Sequence, residues 1–441
     1  MKSLHIVFFN RSYYPDTAAT GQLLTELCEG LAANHGCRVS VVAGIPLNSS
    51  ATGCPDRSNR GFFFDREEKN GVQILRAKGT SFSKKRFLGR ATNYITYFIS
   101  ACVAGQRLRD PDTVVALTDP PIIGVAAWLS SVRYRVPFVM SFRDVFPEVA
   151  RLLEEFQSEF INGILQRVNR FLVRRAVKIV ALGESMREKL IRGKGADPGK
   201  IVIIPDWADC TQIVPGSKEN AFTREHGLSG KFVVMHSGNL GLSQSLNSVL
   251  ESAKFLQDYP DIAMVFVGEG VKKAELQERA RDLGLQQVLF LPFQPKERLS
   301  ESFASADVFA ISLLPGMSGY IVPSKLYGIL AAGRPYVAVV EQESEAVQIA
   351  LANDCGLVAI PGDPKNFSEQ IVALYNDRGR TRRMGQNARR VAESRFDLAP
   401  NVRTYYELFA SITSHAVKPS PSRLNEGVQT SSPAEAKTPR L

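Results

Sequence analysis

The chain has 441 residues, a formal net charge of +10 and 44% hydrophobic residues, a composition typical of a globular protein long enough for two domains. Its six cysteines include no C-x-x-C pair and have no histidines at metal-ligand spacing, which argues against a metal site or a disulfide scaffold. No apolar run reaches the roughly 18 residues of a membrane span, and the first ten residues predict a strand instead of a signal peptide. We therefore expect a cytoplasmic protein whose charge suits an anionic partner: nucleic acid, a lipid surface or a phosphorylated substrate.

Short apolar strands alternate with helical patterns through the first half of the chain. Near-continuous apolar runs are typical of a parallel sheet that is covered by helices on both faces. The predicted strands are 4–9, 38–43, 71–76, 112–117, 136–141, 178–182 and 201–205. The turn after the first strand lacks the G-x-G-x-x-G fingerprint, which argues against a nicotinamide-dependent enzyme.

Two segments of this half have both a functional and an ordinary interpretation. Gly21 opens the first helix, where it could let a substrate approach the backbone or could simply start the helix. The basic stretch 83–90, followed by an aromatic helix at 94–103, could rest on anionic headgroups or hold a polyprenyl-diphosphate substrate. A solvated loop explains the same basic stretch equally well.

Polar residues follow two of the predicted strands. Asp119 comes after one, and Arg143, Asp144 and Glu148 come after the next. Because residues just past the carboxyl ends of parallel strands line the ligand crevice of open α/β sheets, the three carboxylates are candidate acid or base groups. Capping of neighbouring helices is the alternative function for them.

The strand pattern starts afresh at residue 231. The predicted strands of this half are 231–237, 263–267, 288–291, 308–311, 336–340 and 356–360. Glycines follow two of them, Gly238 after the first and Gly268 and Gly270 after the second, as the approach of a nucleotide to the backbone would require. We predict a first doubly wound domain at 1–210, a second at 211–395, a terminal helix at 396–414 that packs back on the first domain, and a disordered tail at 415–441.

The segment 318–335 predicts a helix N-terminus suited to an anion. Pro323 and Ser324 suit the start of a helix, and apolar residues from Leu326 onward give it a buried face. Free N–H groups at such a terminus attract anions, and Lys325 adds a full positive charge there. The alternative is a solvated lysine on an ordinary surface helix.

Five motifs in order give the chain a family resemblance. They are the loop from Tyr14-Pro15 to Gln22, Arg143-Asp144 with Pro147-Glu148, Ile204-Pro-Asp-Trp207, Ser237-Gly-Asn-Leu240, and Val322-Pro-Ser-Lys325 with Gly333-Arg-Pro335. With them the chain resembles family 4 retaining glycosyltransferases of the GT-B fold, and among these the bacterial exopolysaccharide, colanic-acid and O-antigen enzymes of the fucosamine transferase type. The resemblance covers about residues 4–412.

The resemblance implies a transferase that moves a sugar from a nucleotide diphosphate, by analogy UDP, to a lipid-linked or oligosaccharide acceptor in cell-surface polysaccharide synthesis. It implies no cofactor and no metal, and it allows peripheral contact with the cytoplasmic face of the inner membrane. From the resemblance together with the positions at strand ends and helix starts, the candidate catalytic residues are Asp144, Lys325 and Glu148. The candidate donor-binding residues are Gly21, Gly238, Asn239, Gln244, Gly268, Glu269, Gly270, Phe293, Pro323, Ser324, Lys325, Leu326 and Glu345, and the candidate acceptor-binding residues are Thr20, Gln22, Asp119 and Arg143.

The sequence departs from the family at its donor contacts. Asn239 and Gln244 stand where an arginine and a lysine usually bind the diphosphate, so Lys325 is expected to supply the charge. Tyr320 and Gly328 stand where the family has paired glutamates, and Glu345 is a candidate replacement. The histidine that many members carry in the first domain is missing, which leaves Asp144 as the candidate catalytic residue of that domain. A nucleotide-sugar epimerase or hydrolase, a non-catalytic sugar-nucleotide scaffold and a nucleic-acid protein remain alternatives, the last without a recognised motif.

Overall fold

The first domain is built on an eight-stranded sheet with the order β3-β4-β2-β1-β5-β6-β7-β8. The computed structural model describes residues 3–16, 18–46, 61–80, 87–153 and 158–414. The strands of this sheet are β1 His5–Phe9, β2 Arg38–Gly44, β3 Phe64–Lys69, β4 Val72–Ala77, β5 Thr113–Ala116, β6 Phe138–Ser141, β7 Lys178–Ala181 and β8 Ile201–Ile203. All neighbours pair in parallel except β3, which is antiparallel to β4.

The second domain holds a six-stranded parallel sheet with the order β11-β10-β9-β12-β13-β14. Its strands are β9 Phe232–Ser237, β10 Ile262–Val267, β11 Val288–Leu291, β12 Val308–Ser312, β13 Tyr336–Val339 and β14 Gly356–Ala359. In each sheet the strand order reverses direction beside the first strand of the domain, β1 or β9. The crevice at such a switch point is where open α/β sheets bind ligands.

Helices cover both faces of the two sheets. They are α1 Ala19–His35, α2 Phe87–Gly105, α3 Ile123–Tyr134, α4 Glu148–Leu152, α5 Glu159–Arg175, α6 Glu184–Lys189, α7 Ala221–Glu225, α8 Leu246–Glu251, α9 Lys273–Asp282, α10 Leu299–Ala304, α11 Lys325–Ala331, α12 Glu345–Asn353, α13 Pro364–Asn376, α14 Arg378–Arg395 and α15 Leu398–Ser414. Two doubly wound domains, as predicted from the strand pattern, are confirmed.

The last described helix, α15, lies in the first domain. The Val402 side chain fills the space beside Gly30 on α1, where an added Cβ would lie 3.0 Å from a Val402 methyl group. The rings of Phe409 and Phe8 meet edge to face with centroids 6.0 Å apart. The chain therefore returns to the first sheet after completing the second. The tail predicted at 415–441 falls outside the described residues.

The carboxyl ends of the two sheets face each other and are joined by polar contacts. The Val145 N–H donates to the Tyr320 carbonyl at 3.0 Å, and Asp144 forms a bridge with Ile321. Lys296 Nζ lies 3.2 Å from Glu26 Oε1 at another point of contact. The first two contacts place the loop after β6 against the segment between β12 and α11, and the third joins α1 to the segment after β11.

Candidate active site

Lys325 and His236 form a close pair on the second domain. Lys325 is the first residue of α11, and its Nζ lies 3.0 Å from Nε2 of His236, which is near the end of β9. His236 is 2% exposed, and burial together with the neighbouring lysine lowers its pKa well below the ordinary range. Burial also lowers the pKa of Lys325 to about 7. Near neutral pH the pair therefore carries at most one positive charge, on the lysine.

Glycines make room for this pair. Gly238 has a φ of +135°, and a Cβ there would lie 3.3 Å from Lys325 Cε. Gly268 has a φ of +150°, and its Cβ would lie 1.9 Å from the Gly238 carbonyl oxygen. The loops after β9 and β10 thus pack backbone against backbone, which only glycine permits. Their donor contacts, like that of Gly270 beside them, stay a prediction.

Other predicted donor residues surround the same loops. Phe293 is 52% exposed, and one edge of its ring lies 3.4 Å from where a Cβ on Gly268 would be. Glu269 is paired with Lys273 at 2.6 Å, and the buried Gln244 Oε1 has no hydrogen-bond partner in the described part of the chain. The Asn239 side chain folds over Gly241, where an added Cβ would lie 2.5 Å from its Nδ2.

The start of α11 differs in detail from the expected cap. Ser324 occupies the N-cap without a side-chain cap hydrogen bond, and Pro323 and Leu326 are buried. The helix has seven residues. A short helix sums few peptide dipoles, so the charge of Lys325 is the main attraction for an anion here.

Asp144 and Asp119 approach the cleft from the first domain. Asp119 accepts hydrogen bonds from Ser12 Oγ at 2.7 Å and Arg11 Nε at 3.3 Å. Burial and the nearby Asp119 charge raise the pKa of Asp144 to about 6, while Arg143 opposes that rise. The bridge of Asp144 with Ile321 places the Asp144 backbone against the segment that leads into Lys325.

Arg143 and Glu148 lie in buried ion pairs. Arg143 pairs with Asp206, and the two side chains are 5% and 4% exposed. Glu148 accepts from the buried Lys194 at 2.6 Å. Both contacts fasten the loop after β6 to the body of the first domain. The acceptor-binding role predicted for Arg143 and the catalytic role predicted for Glu148 stay predictions, and the contacts that we observe for both residues are structural.

Removing the Arg143 side chain should destabilise the fold. Arg143→Met leaves the Asp206 carboxylate buried without a partner, so we expect a loss of about 3–5 kcal/mol in the free energy of unfolding. Urea denaturation measures it. Arg151→Met is a matched control, because Arg151 pairs with Glu159 at the surface, where such a pair contributes about 0–1 kcal/mol. Equal losses in the two variants would contradict a structural role for the buried pair.

Glu345 reaches across the cleft. Its Oε1 accepts from the Ser185 backbone N–H at 2.9 Å and from Ser185 Oγ at 2.6 Å. The observed function of the Glu345 side chain is this contact between the domains, and its donor-binding role stays a prediction. Gly21 packs on the backbone of Ser12 and Tyr13, with contacts of 3.4 Å from an added Cβ, while Thr20 is half-buried and Gln22 exposed.

Sequence reasoning missed His236, Ser185 and Lys194. For His236 a signal existed, since it is a polar residue near the end of an apolar strand, two positions before Gly238. Ser185 and Lys194 lie in ordinary helical sequence, and only the three-dimensional contacts identify them. Within the described ranges, no three histidine, cysteine or acidic side chains cluster as metal ligands, and no helix has the length and apolarity to cross a bilayer.

Comparison with known proteins gives consistent matches along the chain. The model "Glycosyl transferase 4-like domain" matches residues 19–207, and "Glycosyl transferases group 1" matches residues 218–391. The chain is 30% identical to the putative colanic acid biosynthesis glycosyl transferase WcaI of Escherichia coli, over 78% of this chain and 86% of WcaI. It is 28% identical to the probable glycosyltransferase WbjE of Pseudomonas aeruginosa, over 66% and 72% of the two chains.

Solved structures share the fold. Anabaena HepE in complex with UDP matches with a TM-score of 0.70 and 18% identity, over 92% of this chain and all of HepE. WaaG, a glycosyltransferase involved in lipopolysaccharide biosynthesis, matches with a TM-score of 0.66 and 14% identity, over 92% and 99%. At such identities the likeness concerns the arrangement of the two domains.

Proposed function

This chain belongs to the bacterial glycosyltransferases of the GT-B fold and family 4 type, and we propose that it moves a sugar from a UDP-linked donor to a lipid-linked or oligosaccharide acceptor with retention at the anomeric carbon. Glycosyltransferase function in polysaccharide biosynthesis follows from the family. The UDP donor, the acceptor class, the hexosyl or N-acetylhexosaminyl type of the sugar and the retention are our proposals.

The observation that carries the proposal is the Lys325 site at the switch point of the second sheet. A lysine half-buried in a cleft, hydrogen-bonded only to a neutral histidine among the described residues, has no carboxylate to balance its charge. A diphosphate would supply that balance. When the sugar leaves, negative charge grows on the departing diphosphate, and a fixed cation at that place stabilises the transition state more than the ground state.

The residues around Lys325 also bear on the base of the donor and on the need for a metal ion. Phe293 is an exposed aromatic ring beside the Gly268 loop, where a nucleobase could stack. UDP is the nucleotide in the HepE complex of similar fold, and we extend it to this chain by analogy. Because Lys325 can offset part of the charge of the diphosphate, we propose a reaction that needs no metal ion.

Asp144 is the proposed catalytic group of the first domain. Its pKa of about 6 leaves it mostly ionised at neutral pH and still able to take a proton. We propose that it accepts a hydrogen bond from the acceptor hydroxyl and orients that hydroxyl toward the anomeric carbon. Asp119, held by Ser12 and Arg11, would shape the acceptor side of the same crevice.

We also propose that the first domain contacts an anionic membrane, through helices α3 and α5. The two pack together, with the rings of Trp128 and Phe171 4.8 Å apart. Phe160 and Ile164 on α5 are 75% and 41% exposed, and the same helix carries four arginines. Exposed apolar side chains beside arginines suit a headgroup boundary. Of the basic stretch 83–90 considered from the sequence, residues 83–86 lie outside the described residues.

Vesicle binding tests the membrane contact. Phe160→Ser should lower partitioning onto phosphatidylglycerol-containing vesicles by about 10- to 100-fold, because a buried phenylalanine contributes about 1.5–3 kcal/mol. Flotation measures it. Phe255→Ser, at a 48% exposed phenylalanine of the second domain, is the matched control. Binding by the Phe160 variant equal to that of wild type would contradict the proposed surface.

A transfer assay tests the activity. The protein is incubated with each UDP-sugar and a polyprenyl-diphosphate-linked monosaccharide, and both UDP release and the mass and anomeric configuration of the product are measured. One UDP-sugar should give a product that keeps the donor configuration. An inverted product would overturn retention, and GDP-sugar use alone would overturn the UDP proposal.

A non-catalytic scaffold is the second candidate, favoured by one observation. The position of the second family glutamate is Gly328, which offers no carboxylate, and an added Cβ there would lie 3.0 Å from the Phe303 ring. Tyr320, at the first position, lies under Lys189 with Nζ 4.9 Å from its ring centre. Binding of a UDP-sugar without any UDP release would support the scaffold. Interconversion of the donor without an acceptor would support the epimerase alternative.

A further inference from the structure

The Lys325 ammonium group has one hydrogen-bond partner in the described chain, and that partner is His236. The other two N–H groups of Nζ have none there. The lysine is half-buried at the cleft, whereas the histidine ring is 2% exposed and forms the wall behind it. Gly238 leaves the space through which the lysine stem passes, 3.3 Å from where a side chain would begin. One N–H group of Lys325 is therefore held by the buried ring, and the other two remain available to a ligand as far as the described residues show.

We propose that His236 is a positioning residue for the donor: as a neutral imidazole it accepts a hydrogen bond from Lys325 at Nε2 and aims the two remaining N–H groups of Lys325 at the diphosphate. This inference rests on the proposed function, because it takes Lys325 as the partner of the diphosphate. The histidine acts through the lysine and does not itself touch the donor.

The surroundings of the ring support a neutral acceptor. Nε2 can accept only when the proton is on Nδ1. Nδ1 of His236 and Oε1 of Gln244 are both buried and lack partners at good geometry in the described residues, and the Gln244 side chain is one of the groups that act on the ring. A hydrogen bond from the Nδ1–H group to Oε1 of Gln244 would fix this tautomer.

A second positive charge is disfavoured at the ring. Burial and the adjacent lysine both lower the pKa of His236, and they outweigh Gln244 and the backbone at Asn239 and Ala310, which act in the other direction. The lowered pKa of Lys325 comes from burial, and no charged neighbour among the described residues contributes to it. The acceptor at Nε2 therefore favours the ammonium form against the burial that disfavours it.

A pH dependence of donor binding follows. Below about pH 7 Lys325 is already charged in the free protein, so it takes up no proton when a diphosphate binds. Its contribution to the affinity therefore does not change with pH in that range. Above about pH 7 the lysine must take up a proton on binding, so the affinity falls as the pH rises. Without the histidine acceptor, the ammonium would lose a hydrogen bond but stay desolvated. Its pKa would then be lower, and the fall in affinity would begin at lower pH.

The test compares UDP affinity by calorimetry from pH 6 to pH 9 in wild type, His236→Leu and His236→Gln. The ratio of dissociation constants for His236→Leu over wild type should be about 2 at pH 6 and should rise to about 10 at pH 8, the pattern for a pKa lowered by one unit. The ionisation of UDP itself cancels in that ratio. His236→Gln should stay within about threefold of wild type at every pH, because its amide oxygen can take the place of Nε2.

Two controls separate this role from a structural one. In a Lys325→Met background, His236→Leu should cause no further loss of UDP affinity, as a double-mutant cycle requires if the histidine acts through the lysine. Thermal unfolding of each variant shows whether the fold is kept. A ratio that stays constant with pH, or an equal loss in the Lys325→Met background, would overturn the inference. Absence of UDP binding by wild type would instead overturn the proposed function, and this inference with it.

Discussion

Replacing Lys325 with methionine should lower the rate of sugar transfer by about 10²–10³, the usual loss when one preorganised electrostatic group is removed. Methionine keeps the length and apolar volume of the stem beside Gly238, so the loss reports the missing charge. The maximal rate at saturating acceptor is the quantity to measure. Because the lysine also holds the ground-state diphosphate, the Michaelis constant for the donor should rise in the same variant.

Lys231→Met is the matched control for this substitution. Lys231 directly precedes β9 and so lies at the opposite end of the strand that carries His236. Its Nζ is 3.7 Å from Asp261 in an exposed pair, which contributes about 0–1 kcal/mol to stability. The control should keep wild-type transfer. A Lys325 variant that also keeps it would contradict the placement of the diphosphate at α11.

Replacing Asp144 with asparagine should lower transfer by about 10²–10⁴, the range for loss of a positioned acid or base. The ionised form is the one that can accept the proton of the acceptor hydroxyl. Since burial and Asp119 raise the pKa of Asp144 to about 6, the wild-type rate at saturating donor should rise with pH through about 6 and level off above it. The variant should lack that rise. A rate against pH profile of both proteins measures it.

Glu148→Gln is the informative comparison for Asp144. Glu148 is paired with buried Lys194, so we expect its replacement to reduce stability more than rate. The low-pH limb of the profile should persist in this variant. If the low-pH limb vanished in Glu148→Gln and persisted in Asp144→Asn, the result would contradict the catalytic role of Asp144 and assign that role to Glu148.

The strand pattern predicted the architecture because both sheets are parallel and covered on two faces. Their strands read as apolar runs, and only β3 escaped notice. Its sequence, Phe-Asp-Arg-Glu-Glu-Lys, places five charged residues on an edge strand where Phe64 alone is buried. An edge strand with a solvent-exposed face carries little apolar signal. The predicted helices differ from the observed ones at their ends, by up to seven residues for 94–103 against Phe87–Gly105 and by two for 396–414 against Leu398–Ser414.

The candidate site could be predicted only in part. Lys325 and the glycines after β9 and β10 were visible because special residue types stand at strand ends and at a helix start. The contact of Lys325 with His236 joins residues 89 positions apart, and that of Glu345 with Ser185 joins residues 160 positions apart. Such pairs depend on the register of the strands and on the docking of the two domains. No local pattern encodes either of them.

Thermal unfolding with a panel of nucleotide diphosphates and their sugars, in wild type and Lys325→Met, tests the central claim most directly. At 100 times its dissociation constant a ligand adds about 2.7 kcal/mol to the free energy of unfolding. We predict that UDP and one UDP-sugar raise the midpoint temperature of unfolding of wild type, and that this rise is lost or strongly reduced in Lys325→Met. Equal stabilisation of both proteins, or no response of wild type to any nucleotide, would contradict it.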